Sequence, residues 1–297
     1  MEITFLGTSQ AIPTESRNHT AILLRYEDEM ILVDCGEGTQ RQFRKMHINP
    51  CKLTRILISH WHGDHILGLP GLLQTLALNK YSQTLHIYCP KGTSNYLDQL
   101  LRMFVFVGSI KIEKHEVDEG IFLDTKKFQL EAYRLKHSTR TLAYSFKEKD
   151  KIRIDKALLK KFKIPNGPLI GELQKGKDVI VNGKKIKSKN VSYEEKGKKI
   201  SFIMDTVMNE NCIKAAKESD LVIAESTYLS DMADKAEEYL HLTAEQAAEI
   251  AKKAKAKKLY LTHISQRYEH IPQILLKEAR KVFKNSYLAE DLMQIEV

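Results

Sequence analysis

The feature that most constrains this chain is a six-residue run, His60-Trp61-His62-Gly63-Asp64-His65, directly after the apolar stretch Leu53–Ser59. Three imidazoles and a carboxylate crowded together repel one another and are costly to desolvate unless a cation joins them. The preceding stretch reads as a buried strand, so the run is a loop at a strand end. His60 and His62 are two apart and point the same way from extended chain, while Asp64 and His65 follow on the turn. One loop can therefore feed two adjacent ions. Further candidate ligands end three later apolar runs: His137 after Leu135, Asp205 after Met204 and His263 after Thr262. Imidazoles with carboxylates suit Zn²⁺, leaving Mn²⁺ and Fe²⁺ open.

The organisation around these residues is α/β. Strands are predicted over 1–7, 20–26, 30–35, 53–59, 85–89, 128–135, 199–205, 221–225 and 258–262, with a short closing strand. Helices are predicted over 38–46, 68–80, 92–103, 209–218, 243–254 and 272–283. Thr243 and Gln246 have capping-box spacing. A site where strand ends meet is a recurrent placement in such architectures.

Between the two α/β halves the texture changes. Positions 147–199 hold 17 Lys and Arg against 7 Asp and Glu, so an overall charge of +9 is concentrated there and the rest is nearly neutral. Such a segment is either a polyanion-binding appendage or a solvated loop. Cys35, Cys51, Cys89 and Cys212 are far apart, which suits reduced thiols. The N-terminus does not read as a signal peptide, and no apolar run reaches the ~20 residues a membrane span needs. A soluble, cytoplasmic protein is expected.

With the ligand pattern in view, the chain resembles the metallo-β-lactamase superfamily. That resemblance implies a four-layer αββα sandwich carrying two Zn²⁺ ions. His60, His62 and His137 would hold one, Asp64, His65 and His263 the other, with Asp205 bridging. Asp34 in Leu32–Gln40 matches a further superfamily motif and would support the His-rich loop. Asp64 would orient a water molecule and take its proton.

Within the superfamily, three stretches resemble ribonuclease Z. Residues 7–18 carry a Pro-x-x-x-Arg-Asn element in which Arg17, beside Asn18, could grip a phosphate. Residues 224–227 with His241-Leu242-Thr243 resemble the family's His-Glu-Ala-Thr segment and downstream His, although Ala224 stands in the first His position and Ser226 in the Ala position. This implies that His241 protonates the leaving oxygen and Glu225 orients it. Residues 164–176, including Gly167 and Pro168, resemble the exosite arm that grips the tRNA body, here inserted at 147–199. Arg267, in a late family stretch at 263–268, would help hold phosphate. The resemblance covers nearly the whole chain and implies a single domain with an inserted flexible arm, a homodimer, and hydrolysis of the bond joining the 3′ trailer to precursor tRNA. Two rivals remain: a phosphodiesterase or arylsulfatase acting on small esters, and an RNA-binding scaffold without activity, against which the seven-ligand set argues. His19, His47, His86, His115 and His270 receive no chemical role.

Overall fold

A computed structural model of the chain describes residues 1–105, 110–181 and 183–297; residue 182, within the expected arm, lies outside the described residues. In chain order, the first sheet takes β1 (Glu2–Gly7), β2 (Ala21–Tyr26), β3 (Glu29–Val33), β4 (Arg55–Leu57), β5 (Thr84–Pro90) and β6 (Lys111–Val117). The second begins with β7 (Gly120–Asp124), β8 (Phe128–Arg134) and β9 (Leu142–Glu148). Four short strands follow in the insertion: β10 (Lys151–Ile154), β11 (Val179–Val181), β12 (Lys184–Ile186) and β13 (Ser192–Glu195). The second sheet is completed by β14 (Lys199–Ile203), β15 (Leu221–Glu225), β16 (Leu259–Thr262) and β17 (Ser286–Leu288), and β18 (Gln294–Glu296) returns to the first. The strand orders are β18-β1-β2-β3-β4-β5-β6 and β17-β16-β15-β14-β9-β8-β7.

The first sheet is antiparallel from β18 to β3 and parallel from β3 to β6, and β14 to β17 are parallel. Parallel strands are covered on both faces and so read as unbroken apolar runs. All of β15 is buried, including Glu225 at its end. Helices cover one face of each sheet. Phe43, Leu72 and Leu97, from helices Thr39–Lys45, Leu69–Leu78 and Ser94–Met103, join Leu32, Ile56 and Ile87 of the first sheet in one apolar cluster. Ala215, Ala248 and Leu275, from helices Glu210–Ala216, Ala244–Lys253 and Gln273–Val282, join Val222 and Leu261 of the second. The sheets' other faces meet through Phe5 on Tyr260, Tyr26 on Phe146 and Tyr88 on Phe122, with ring centroids 5.1–5.6 Å apart. The result is the expected αββα sandwich.

Thr243 and Gln246 close the capping box, each side chain accepting from the other's backbone N–H. Reading the sequence missed β6, β7 and β9, besides the short strands of the insertion. β6 and β7 are half-exposed, and the Lys and Glu residues of β6 break the apolar alternation that marks a strand.

Thr125–Gln129 and Lys147–Lys198 form a second compact unit. Its apolar residues are scattered among lysines and show no period, yet Leu159, Ile164, Leu173, Val179, Val181, Ile186 and Val191 gather into a core of their own. Strand β10 pairs with β13, β11 pairs with β12, and helices Lys156–Lys161 and Pro168–Gln174 complete the unit. Gly167 and Pro168 are exposed where the second helix begins. Gly167 has φ 152° and ψ −163°, a region essentially only glycine enters. Among the described residues, no helix is long and apolar enough to cross a membrane.

Candidate metal centre

The strand ends of the two sheets deliver the ligand-type side chains to one place. β3 runs into Asp34, β4 into the His60–His65 loop, β8 toward His137, β14 into Asp205 and β16 into His263. Asp34 and His263 both take φ 58°, a left-handed conformation unusual outside glycine. Gly36 lets the backbone close over the loop, because a Cβ there would sit 2.4 Å from the Asp64 carbonyl oxygen.

Two groups result, and Asp205 belongs to both: His60, His62, His137 and Asp205, and then Asp64, His65, Asp205 and His263. In each group the candidate ligand atoms all lie within 4.8 Å of one another. The Asp205 carboxylate divides between them. Its Oδ1 is 3.2 Å from both His65 Nε2 and His263 Nε2, and its Oδ2 is 3.7 Å from His60 Nε2 and 3.8 Å from His137 Nε2. Asp64 Oδ2 accepts from the Ala11 N–H at 3.0 Å and lies 3.4 Å from His65 Nε2 and His263 Nε2.

Partners on the far side of the rings fix which nitrogen faces inward. Asp34 Oδ2 meets His65 Nδ1 at 2.7 Å, Ser59 Oγ meets His60 Nδ1 at 3.0 Å, the Leu240 carbonyl meets His137 Nδ1 at 2.9 Å, and Thr227 Oγ1 meets His263 Nδ1 at 3.0 Å. His62 is turned the other way, with Nε2 toward Ser138 Oγ and Nδ1 3.3 Å from His137 Nε2. A partner on the outer nitrogen holds a ligand ring at one orientation and tautomer. Ser59, Thr227 and Leu240 were given no role by sequence reading; Ser59 adjoins the His-rich run, whereas a backbone carbonyl leaves no sequence signal.

The fully buried His60 Nε2 and Asp205 Oδ1 have no hydrogen-bond partner. Buried polar atoms without partners are rare and need an occupant, and a divalent cation between the groups would satisfy both. Burial, with His65 adding to it, drives His60 well below its ordinary pKa. Burial opposes charge on Asp205 as well, but His263 and His65 outweigh it and hold the carboxylate well below its usual range. The donor set fits a pair of cations.

Beside this centre, His241 Nδ1 lies 3.1–3.2 Å from both carboxylate oxygens of Glu225. Burial disfavours its charged form, yet the Glu225 carboxylate, by charge and hydrogen bond, raises His241 to about 9. A cleft of about 500 Å³ opens over His62, Asp64, His137, Asp205 and His241, and the exposed Arg267 lines it with Tyr228, whose ring centroid is 5.4 Å from its guanidinium carbon.

Arg17 departs from expectation. It is 5% exposed, and its Nη1 donates to Thr8 Oγ1 at 2.6 Å and to the Ala289 carbonyl at 2.7 Å. Thr8 Oγ1 donates in turn to Asp291, which also accepts from the Asn18 backbone and Gln42. A guanidinium committed to that buried network ties the N-terminal loop to the C-terminal segment and does not grip a phosphate. Asn18 donates its side-chain amide to the Glu37 carbonyl at 2.6 Å and has the same bracing part.

Residues 1–155 match the family model described as Anti-Pycsar protein Apyc1, and residues 179–264 match the beta-lactamase superfamily domain. The ribonuclease Z of Methanothermobacter thermautotrophicus is 41% identical over 100% of this chain and 97% of its own, and that of Chlamydia muridarum 39% over 99% and 96%. The crystal structure of the short form of human tRNase Z superposes with a TM-score of 0.72 at 30% identity, covering 100% of this chain and 99% of that one. Full-length identity at this level, on a sandwich whose strand ends converge on the same histidine-rich cleft, means that the chain belongs to the ribonuclease Z family of the metallo-β-lactamase superfamily.

Proposed function

We propose that this chain is an endoribonuclease that hydrolyses the phosphodiester joining the 3′ trailer to precursor tRNA, leaving a tRNA 3′-hydroxyl. The observation that carries the reading is the division of Asp205 between two ligand groups, in a chain aligned end to end with ribonucleases Z. His60, His62 and His137 would hold one Zn²⁺, Asp64, His65 and His263 the other, and Asp205 both. Bound there, the cations lower the pKa of water and polarise a phosphoryl oxygen.

The chain's own groups supply the rest. Asp64, held by the Ala11 N–H, orients the attacking water and receives its proton. His241 carries a proton at neutral pH because Glu225 sustains its charge, and delivers it to the leaving 3′ oxygen. Arg267 offers a cation to a phosphate in the cleft. The insertion, with the exposed turn at Gly167 and Pro168, grips the tRNA body through its excess positive charge. The same reading includes a homodimer in the cytoplasm.

The two ligand groups would serve an activated small diester as well as an RNA, which keeps a small-ester hydrolase as the second reading. Incubating purified, Zn²⁺-loaded protein with a 3′-extended tRNA transcript and mapping the new ends decides between them. Cleavage at the trailer junction is expected. An intact transcript alongside turnover of an activated aryl diester would leave the second reading standing.

A further inference from the structure

The outer edge of the first sheet carries another cluster of metal-ligating side chains, remote in sequence from the centre and sharing no residue with it. β5 and the edge strand β6 run parallel, with His86 opposite Glu113 and Tyr88 opposite His115. Residues two apart on a strand share a face, so His86, Tyr88, Glu113 and His115 stand together on one side. The rings of His86 and His115 turn their nitrogens toward each other, Nδ1 to Nε2 at 3.0 Å, and Glu113 Oε2 lies 3.4 Å from the same His86 Nδ1. The three ligand atoms lie within 4.8 Å of one another, and all three residues are partly exposed, so an ion can reach them.

We propose that His86, Glu113 and His115 form a further divalent transition-metal site, with Zn²⁺ the best-suited ion. A tetrahedral Zn²⁺ with bonds of about 2.0–2.1 Å places neighbouring ligand atoms about 3.3 Å apart, close to the 3.0 and 3.4 Å separations here. The surroundings hold this shape. Tyr88 stacks on His115 with centroids 4.5 Å apart and an 18° tilt, and the Tyr88 hydroxyl accepts from Arg55 at 3.1 Å. Lys111 takes the other Glu113 oxygen at 3.1 Å, leaving Oε2 for the ion. Three protein ligands leave a fourth position for water or another donor. Because the ligands come from two strands, an ion there cross-links the exposed edge strand to the sheet, and N-to-N contact through a single shared proton is the arrangement it replaces.

The test is metal stoichiometry on the full-length protein, which does not depend on what the enzyme cleaves. Metal-free protein is reloaded with Zn²⁺, freed of excess by gel filtration and analysed beside His115→Ala and His86→Gln. The parent is expected to hold one Zn²⁺ more per chain than either variant, and each variant to bind that ion at least about tenfold more weakly. Cu²⁺, which binds such ligands more tightly than Zn²⁺, should displace the ion from this exposed site in Zn²⁺-loaded parent and give an electron paramagnetic resonance spectrum coupled to two nitrogens, which needs no variant. Equal Zn²⁺ content in parent and both variants, or a Cu²⁺ spectrum without nitrogen coupling, overturns the site.

Discussion

Leu173→Ala asks whether the basic insertion is a folded grip or charge on a string. Leu173 is fully buried in the seven-residue core of the second unit. Leu→Ala at such a site costs about 3–5 kcal/mol, the transfer term plus the cavity left behind. A unit this small seldom draws more than about 3–5 kcal/mol from one core. The substitution therefore removes most of the unit's stability, and its folded and open forms become comparably populated. Hydrogen exchange followed by mass spectrometry reads this directly. Peptides from β11, β12 and helix Pro168–Gln174 should lose about 100-fold or more in protection, the equivalent of about 2.7 kcal/mol. Helix Ala244–Lys253 in the body should keep its own. Ile180, on the same hairpin but 70% exposed, supplies the control, since Ile180→Ala leaves no cavity. Precursor tRNA cleavage by Leu173→Ala should fall through a raised KM, with turnover of a small aryl diester kept. Unchanged protection in the insertion, or equal loss in insertion and body, refutes the reasoning that this core stands by itself.

Asp205→Ala should lose both metals and activity together, measured by elemental analysis beside the cleavage assay, because among the described residues no other side chain belongs to both ligand groups; one metal or none in active parent protein would end the dinuclear reading. His241→Ala should slow precursor tRNA cleavage by about 10²–10⁴ while sparing an activated aryl diester, whose leaving group needs little protonation; equal losses on both would make His241 structural. Replacing 151–198 with a short Gly-Ser linker should weaken tRNA binding and flatten the dependence of log affinity on log salt, since fewer counterions are released; an unchanged slope in a folded protein would remove the insertion from tRNA recognition.

What the sequence made legible follows a physical line. The His60–His65 run was conspicuous because its residue types cannot be buried together without a cation, and β3, β4, β14 and β16, which feed the site, were legible because parallel strands are continuously apolar. Helix ends such as Thr243 carried their own chemistry. β6 was hidden because an edge strand facing water mixes Lys and Glu with Ile, and the insertion's core was hidden because its seven apolar residues come from four separate elements and two loop positions. Arg17 misled for a related reason: an arginine in a loop reads as exposed until the chain's other end, at Ala289 and Asp291, folds over it. Of the partners that fix the ring tautomers, Asp34 was legible from its motif and Ser59 only by adjoining the His-rich run, whereas the Leu240 carbonyl oxygen carries no mark in sequence at all.

Asp34 and His263 both sit at φ 58°, each at a cost of about 1–3 kcal/mol relative to a relaxed backbone. Glycine would adopt either conformation freely, but at Asp34 it would strand the Ser59 N–H and His65 Nδ1 in the core, and at His263 it would open a cavity. Strain and side chain are therefore locked together at these corners. A copy of this chain released from catalytic duty could not relax its backbone there without losing packing, so the two bent corners would outlast the chemistry that required them.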